Sequence, residues 1–198
     1  MLRRRADYGT SEAALYALHR DKRKRFPLAP GALVTTIAFS AALVTRRPGL
    51  LGLCLASLVW DGIGRSQRLR QGRVDLPAQR VWSSVSREHL AMLYFAHFHL
   101  VRYYLVLLAA VGLLAPGVRL LMVLAVLHSA GVDYLAKRPR LQFPTYLGFH
   151  AAEHAAYQVG VFVGCVRSWT FRSYLPVLEP PRLASGLSFD RNKVGRAA

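Results

Sequence analysis

Charge in this chain is not spread evenly. Arg and Lys gather in clusters, and between the clusters run apolar stretches of bilayer-crossing length. No charged residue occurs from Phe26 to Thr45. The Arg46-Arg47-Pro48-Gly49 turn follows, and Leu50 to Trp60 is apolar again up to Asp61. A second pair comprises Leu90 to Ala115 and, beyond Pro116-Gly117, Val118 to Ala130, closed by Asp133-Tyr134. A helix needs roughly 20 apolar residues to cross the hydrocarbon core. Only helices and closed barrels satisfy every backbone polar group there. The pattern predicts an all-α integral membrane protein with about four transmembrane helices in two hairpins. The second span is the shortest and reaches full length only if it extends to Gly64.

The polar segments divide the rest. Residues 1–25 form a basic segment with a short helix over about 11–20, started by the Thr10-Ser11-Glu12 cap signal. Residues 26–135 are the membrane domain, with a basic connector at 65–88. Within that connector Val74–Arg87 carries Leu76, Val81, Trp82 and Val85 at the spacing of an interfacial amphipathic helix. Residues 136–176 form an interfacial or membrane-associated helical region, and 177–198 read as a disordered tail.

A formal net charge of +17 invites a nucleic-acid reading, but placement decides against it. With both termini inside, 24 of the 27 Lys and Arg residues fall on the cytoplasmic side, as the positive-inside rule requires. The surplus therefore reflects orientation and anionic lipid headgroups, with no nucleic-acid partner. The location implied is the cytoplasmic (inner) membrane, multi-pass, with N- and C-termini cytoplasmic. The N-terminal MLRRRADYGTSE is polar from its third residue and is not a secretory signal, so the spans serve as their own insertion signals. Cys54 and Cys165 lack a paired spacing and read as buried free thiols.

Chemistry concentrates in 143–166. His150, Glu153, His154, Tyr157 and Gln158 recur at i, i+3, i+4, i+7 and i+8, on one helical face, while Gly148, Gly160 and Gly164 suit close helix contacts. His150-Ala-Ala-Glu153-His154 has the H-x-x-E-H spacing of inverted zinc proteases, which sets two imidazoles beside a carboxylate. A metal-dependent hydrolase on His150, Glu153 and His154 is thus one alternative; it needs a third ligand, for which His97, His99, His128 and Asp133 are candidates. The plainer reading is a polar face hydrogen-bonded to a neighbouring helix. A di-iron site is disfavoured because His97 and His99 point to different sides, and His19, His89 and His128 stand alone. Asp61 and Asp133, each at a span end, are either functional carboxylates or partners of Arg65 and Lys137. Trp60, Trp82, Trp169 and Tyr103-Tyr104 read as interface anchors. Phosphate loops, D-x-D motifs and nucleophile elbows are absent.

Two stretches resemble a known family. Arg3-Arg4-Arg5-Ala-Asp7-Tyr8-Gly9-Thr10-Ser11-Glu12, followed by a helix and His19, resembles the junction that ends the catalytic domain of family 2 glycosyltransferases. It is most similar to the membrane glycosyltransferases of mycofactocin-type peptide maturation systems. Asp133-Tyr134-x-x-Lys137-Arg138-Pro139, continuing through Glu153-His154-Ala-Ala-Tyr157-Gln158-Val-Gly160 and Gly164-Cys165-x-Arg167 to Tyr174-Leu175-Pro176, is similar to the C-terminal membrane-side region of the same enzymes. Glu153-His154 stands where that family carries an acidic pair. The resemblance covers about residues 3–176 and none of the sugar-nucleotide-binding domain. It implies a split or truncated membrane module that anchors a partner's catalytic domain and is not catalytic alone. Substrate-side contacts would fall to Arg4, Arg5, Asp7, Tyr8, Gly9, Thr10, Ser11, Glu153, Tyr157 and Gln158. The chain itself would hold no cofactor; nucleotide sugar and divalent metal would belong to the partner domain. A membrane anchor without any site is the remaining alternative.

Overall fold

The computed structural model describes residues 1–19, 25–27 and 29–179. Among the described residues there are six α-helices: α1 (Leu2–Leu18), α2 (Pro30–Thr45), α3 (Leu51–Gln71), α4 (Ala78–Leu114), α5 (Pro116–Lys137) and α6 (Phe143–Arg167). Two three-residue strands, β1 (Arg25–Pro27) and β2 (Val177–Glu179), pair in parallel. The chain is thus helical, as expected, apart from this small ribbon. It ties the segment after α1 to the segment after α6. Residues 177–179 are ordered in it, contrary to the expected tail; 180–198 lie outside the described residues, as do Arg20 to Lys24 of the basic run.

Local chemistry sets the helix ends. Pro30 and Pro116 open α2 and α5 at the first-turn position where a missing N–H costs nothing. The same Pro116 stops α4, since the residue before a proline is pushed out of the helical region; Ala115 sits at φ −118° and ψ 97°. Arg46 and Arg138 end α2 and α5 in the left-handed region, at φ 57° and 46°. A proline follows each within two residues and prevents the helix from resuming.

Several boundaries differ from expectation. The first apolar helix starts at Pro30, because Arg25–Pro27 is drawn into the ribbon, and so runs only 16 residues. α1 begins at Leu2, well before the expected residue 11: packing of Ala6 and Gly9 on α6 extends it past the local cap signal. The connector helix and the following span merge into one 37-residue α4, since nothing between Arg87 and Leu90 breaks a helix. Two helices, α4 and α5, are long and apolar enough to cross a membrane, and only 22% of each apolar window is buried inside the molecule. Leu113, Leu114, Leu55 and Trp60 stand among many outward-facing apolar side chains.

The packing pairs α2 with α3, α4 with α5, and α1 with α6. A Cβ on Gly117 would lie 2.0 Å from the Val44 carbonyl oxygen, so the α2–α3 and α4–α5 turns meet at one end of the bundle. Farther along, His89 bridges three helices: its Nε2 lies 3.0 Å from Asp61 Oδ2 and its Nδ1 2.9 Å from Thr35 Oγ1. A carboxylate only accepts, so Nε2 carries the hydrogen and, in the neutral ring, Nδ1 accepts from the threonine. Asp61 is therefore held by His89, while the expected partner Arg65 reaches Glu88 and Ser84 instead. His128 is likewise not isolated: its Nδ1 lies 2.9 Å from that of His97. The ring of His99 turns the other way, to the Tyr174 carbonyl oxygen, as the i, i+2 spacing requires. The thiols of Cys54 and Cys165 are free, and only Cys165 is fully buried.

Candidate functional site

Small residues bring α1 onto α6. A Cβ on Gly160 would lie 1.9 Å from the Ala6 carbonyl oxygen, and one on Gly9 would lie 2.2 Å from that of Tyr157. Gly164 meets Thr10 and Ala13 at 2.6 to 2.8 Å. The two backbones approach as closely as in Gly-x-x-x-Gly helix pairs, with Gly9/Ala13 facing Gly160/Gly164. The Thr10 hydroxyl stitches the seam, donating to the Ala6 or Gly160 carbonyl oxygen at 3.1 and 3.2 Å. Gly148 has open space around it and takes no part. Ala13, Tyr157, Val161 and Cys165 then close a buried cluster with Tyr103 of α4.

Between this pair and α4–α5 lies a cavity of about 420 Å³. From α6 it receives His150, Glu153, His154 and Tyr157, the polar face expected from their spacing. From α1 comes Arg5, whose Nη2 lies 3.0 Å from a Glu153 carboxylate oxygen. Asp133 and Lys137 of α5 add a second ion pair at 2.6 Å, with Asp133 also accepting from the Tyr94 hydroxyl at 2.7 Å. The expected Asp133–Lys137 pairing is thus present. Phe98, Tyr146, Phe149 and Leu141 supply an apolar wall.

The remaining sequence-selected residues fall elsewhere. Arg4, Asp7, Tyr8 and Ser11 lie on the outer, exposed face of α1, away from the cavity. Gly9 and Thr10 are consumed by the helix seam. Gln158, one turn beyond His154 on α6, does not line this cavity: its Oε1 accepts from the Val106 backbone N–H at 2.9 Å. There it borders a second, largely aromatic pocket lined by Tyr103, Tyr104, Phe162, Phe171 and Tyr174. Of the ten residues, Arg5, Glu153 and Tyr157 are the ones brought together in the cavity.

The histidines do not assemble a metal centre. His150 Nε2 lies 3.3 Å from the Ser129 hydroxyl, Glu153 is engaged by Arg5, and His154 packs edge-on against Phe98. Among the described residues no group of three or more His, Cys, Asp or Glu side chains could hold a metal ion. Burial also disfavours the charged form of both rings. That of His154 pushes its pKa down to about 3, with His150, Arg102 and Arg5 adding smaller repulsions, and burial lowers His150 in the same direction.

Arg102 is the residue that sequence reading passed over. It lies within the run Leu90–Ala115, where a lone cation was itself a signal. Its guanidinium carbon sits 3.7 Å from the centre of the Tyr157 ring and 5.8 Å from that of Phe98. It approaches Glu12 at 3.8 Å, and its Nε is buried with no hydrogen-bond partner. No family model, no curated protein and no solved structure matches this chain.

Proposed function

We propose that this chain is the membrane-embedded C-terminal module of a family 2, mycofactocin-like glycosyltransferase, split or truncated from its catalytic domain. One observation carries the reading. The two stretches that resemble that family stand about 150 residues apart, yet α1 and α6 pack as one helix pair and join in the Arg5–Glu153 ion pair over the cavity. The resemblance lies in two separate segments, and their convergence supports treating them as one functional unit. The exposed face of α1, with Arg4, Asp7, Tyr8 and Ser11, is free to receive a catalytic domain. The cavity behind it serves the acceptor or diphosphate side, since fixed cations favour a developing negative charge. Nucleotide sugar and divalent metal belong to the partner domain.

In this reading α2, α3, α4 and α5 cross the cytoplasmic membrane and both termini are cytoplasmic. The clustering of cations between apolar segments supports that orientation, and the outward-facing apolar side chains support lipid contact. The test is reconstitution in lipid of the purified chain, alone and with a family 2 catalytic domain. Sugar transfer from UDP- or GDP-sugars is expected only from the pair. Transfer to a peptide or lipid by the chain alone would overturn the proposal, as would a pair no more active than the catalytic domain by itself.

A further inference from the structure

The cavity between α1, α4 and α6 has an uneven charge balance. Three cations border it, Arg5, Arg102 and Lys137, against two carboxylates, Glu153 and Asp133. Each carboxylate already has its own partner, Arg5 for Glu153 and Lys137 for Asp133. Arg102 meets Glu12 only at 3.8 Å, beyond normal hydrogen-bond length, and shares a side-chain hydrogen bond with Tyr103, while its buried Nε lacks a partner. A guanidinium stacked on an aromatic ring keeps its N–H edges in the plane of the fork, the geometry that grips oxyanions with two parallel bonds. The other two cations can be recruited. The Arg5 and Lys137 side chains are 43% and 63% exposed, and ion pairs that open to solvent hold by only about 0–1 kcal/mol. Several mobile cations around one fixed fork suit an anion of more than one charge, which a phosphate carries and a single carboxylate does not. The Phe98, Tyr146 and Phe149 wall leaves room for an organic body beside it.

We propose that this cavity binds a phosphoester, with Arg102 as its principal oxyanion receptor and Arg5 and Lys137 closing on the remaining oxygens. The proposal rests on the glycosyltransferase reading for its setting, but its chemistry is tested separately. The phosphoester is either a lipid headgroup or a soluble ligand, and two probes distinguish them. The full chain in phosphatidylcholine nanodiscs is titrated calorimetrically with inorganic pyrophosphate. In parallel, phosphatidic acid is added to the nanodiscs and its phosphorus resonance is followed for exchange broadening. Saturable, salt-sensitive binding of at least one probe is expected; pyrophosphate alone identifies a soluble ligand, and phosphatidic acid alone a lipid headgroup.

Arg102→Gln should weaken binding roughly tenfold or more, the weight of one charge-assisted hydrogen bond, and Arg102→Lys by less because charge survives without the fork. Because Arg102→Gln also disturbs packing on Tyr157, Glu12→Gln provides the opposite sign: releasing Arg102 from its carboxylate should tighten binding. A role confined to packing predicts no tightening. Absence of saturable binding by either probe, or equal affinity in wild type and Arg102→Gln, would sink the proposal. Binding without sugar transfer by the reconstituted pair would remove the glycosyltransferase reading and leave this site standing. Transfer without binding would do the reverse.

Discussion

Gly160 and Gly148 occupy the same helix and differ only in what faces them. A side chain at Gly160 would run into the Ala6 backbone, which has no flexible end to yield, whereas Gly148 opens on space. Gly160→Val should therefore cost at least about 2 kcal/mol, the scale of overpacking against fixed atoms. Gly148→Ala should stabilise by about 0.5–1 kcal/mol through backbone entropy alone. Chemical unfolding in detergent measures both, and trypsin cleavage at Arg3–Arg5 should accelerate only in the first. His154 yields a pH prediction. Its folded pKa is lowered to about 3 from 6.5, so between those values the unfolded chain takes up a proton that the folded chain refuses. Its contribution to stability is thus complete above pH 6.5 and is lost as pH falls toward 3. His154→Gln should flatten that acid limb relative to wild type; equal slopes in the two proteins would contradict a buried neutral ring.

α4 is the element where local pattern and final structure part most. Its sequence divides into an amphipathic stretch ending at Arg87 and an apolar run beginning at Leu90, and the two periodicities suggest separate helices. Neither Gly nor Pro separates them, so the backbone hydrogen-bond ladder continues through 37 residues, a rod of about 55 Å. The hydrocarbon core is about 30 Å thick, so in the proposed membrane reading a good part of α4 would project beyond it. That projecting part carries His89 and Glu88, which clamp Asp61 and Arg65 of α3. Arg87 is exposed and lies at the junction. Arg87→Pro should then cost about 3 kcal/mol, as an interior helix proline does, whereas a loop between two helices would accept it at little cost. Thermal unfolding of the purified variant separates the outcomes.

For the whole molecule, the decisive contact is Gly117 on Val44. It places Arg47 and Arg119 at the same end of the bundle, although 71 residues separate them. Arg47→Cys and Arg119→Cys should therefore react with an impermeant maleimide from the same face of the membrane. In the proposed orientation that is the outer face. Labelling from opposite faces would contradict the packing, and labelling of both from the cytoplasm would invert the topology.

The sequence by itself determined the helical class, the two helical hairpins, the breaks at Pro48 and Pro116 and the shared face of His150, Glu153, His154 and Tyr157. These follow from rules acting over a few residues: helical periodicity, proline sterics and the cost of placing charge among apolar side chains. Only the tertiary structure decided which distant groups meet. Arg5 on Glu153, His89 between Asp61 and Thr35, and Arg102 over the Tyr157 ring all join segments far apart in the chain. No spacing encodes such meetings, because they depend on how closely backbones approach. Glycine spacing marked α6 as able to approach another helix closely, but only the packing showed that Gly160 and Gly164 meet α1 while Gly148 meets nothing. Arg102 shows the difference most sharply: the sequence displayed a lone cation in an apolar run, and the packing of α1 and α6 on α4 made it part of a site.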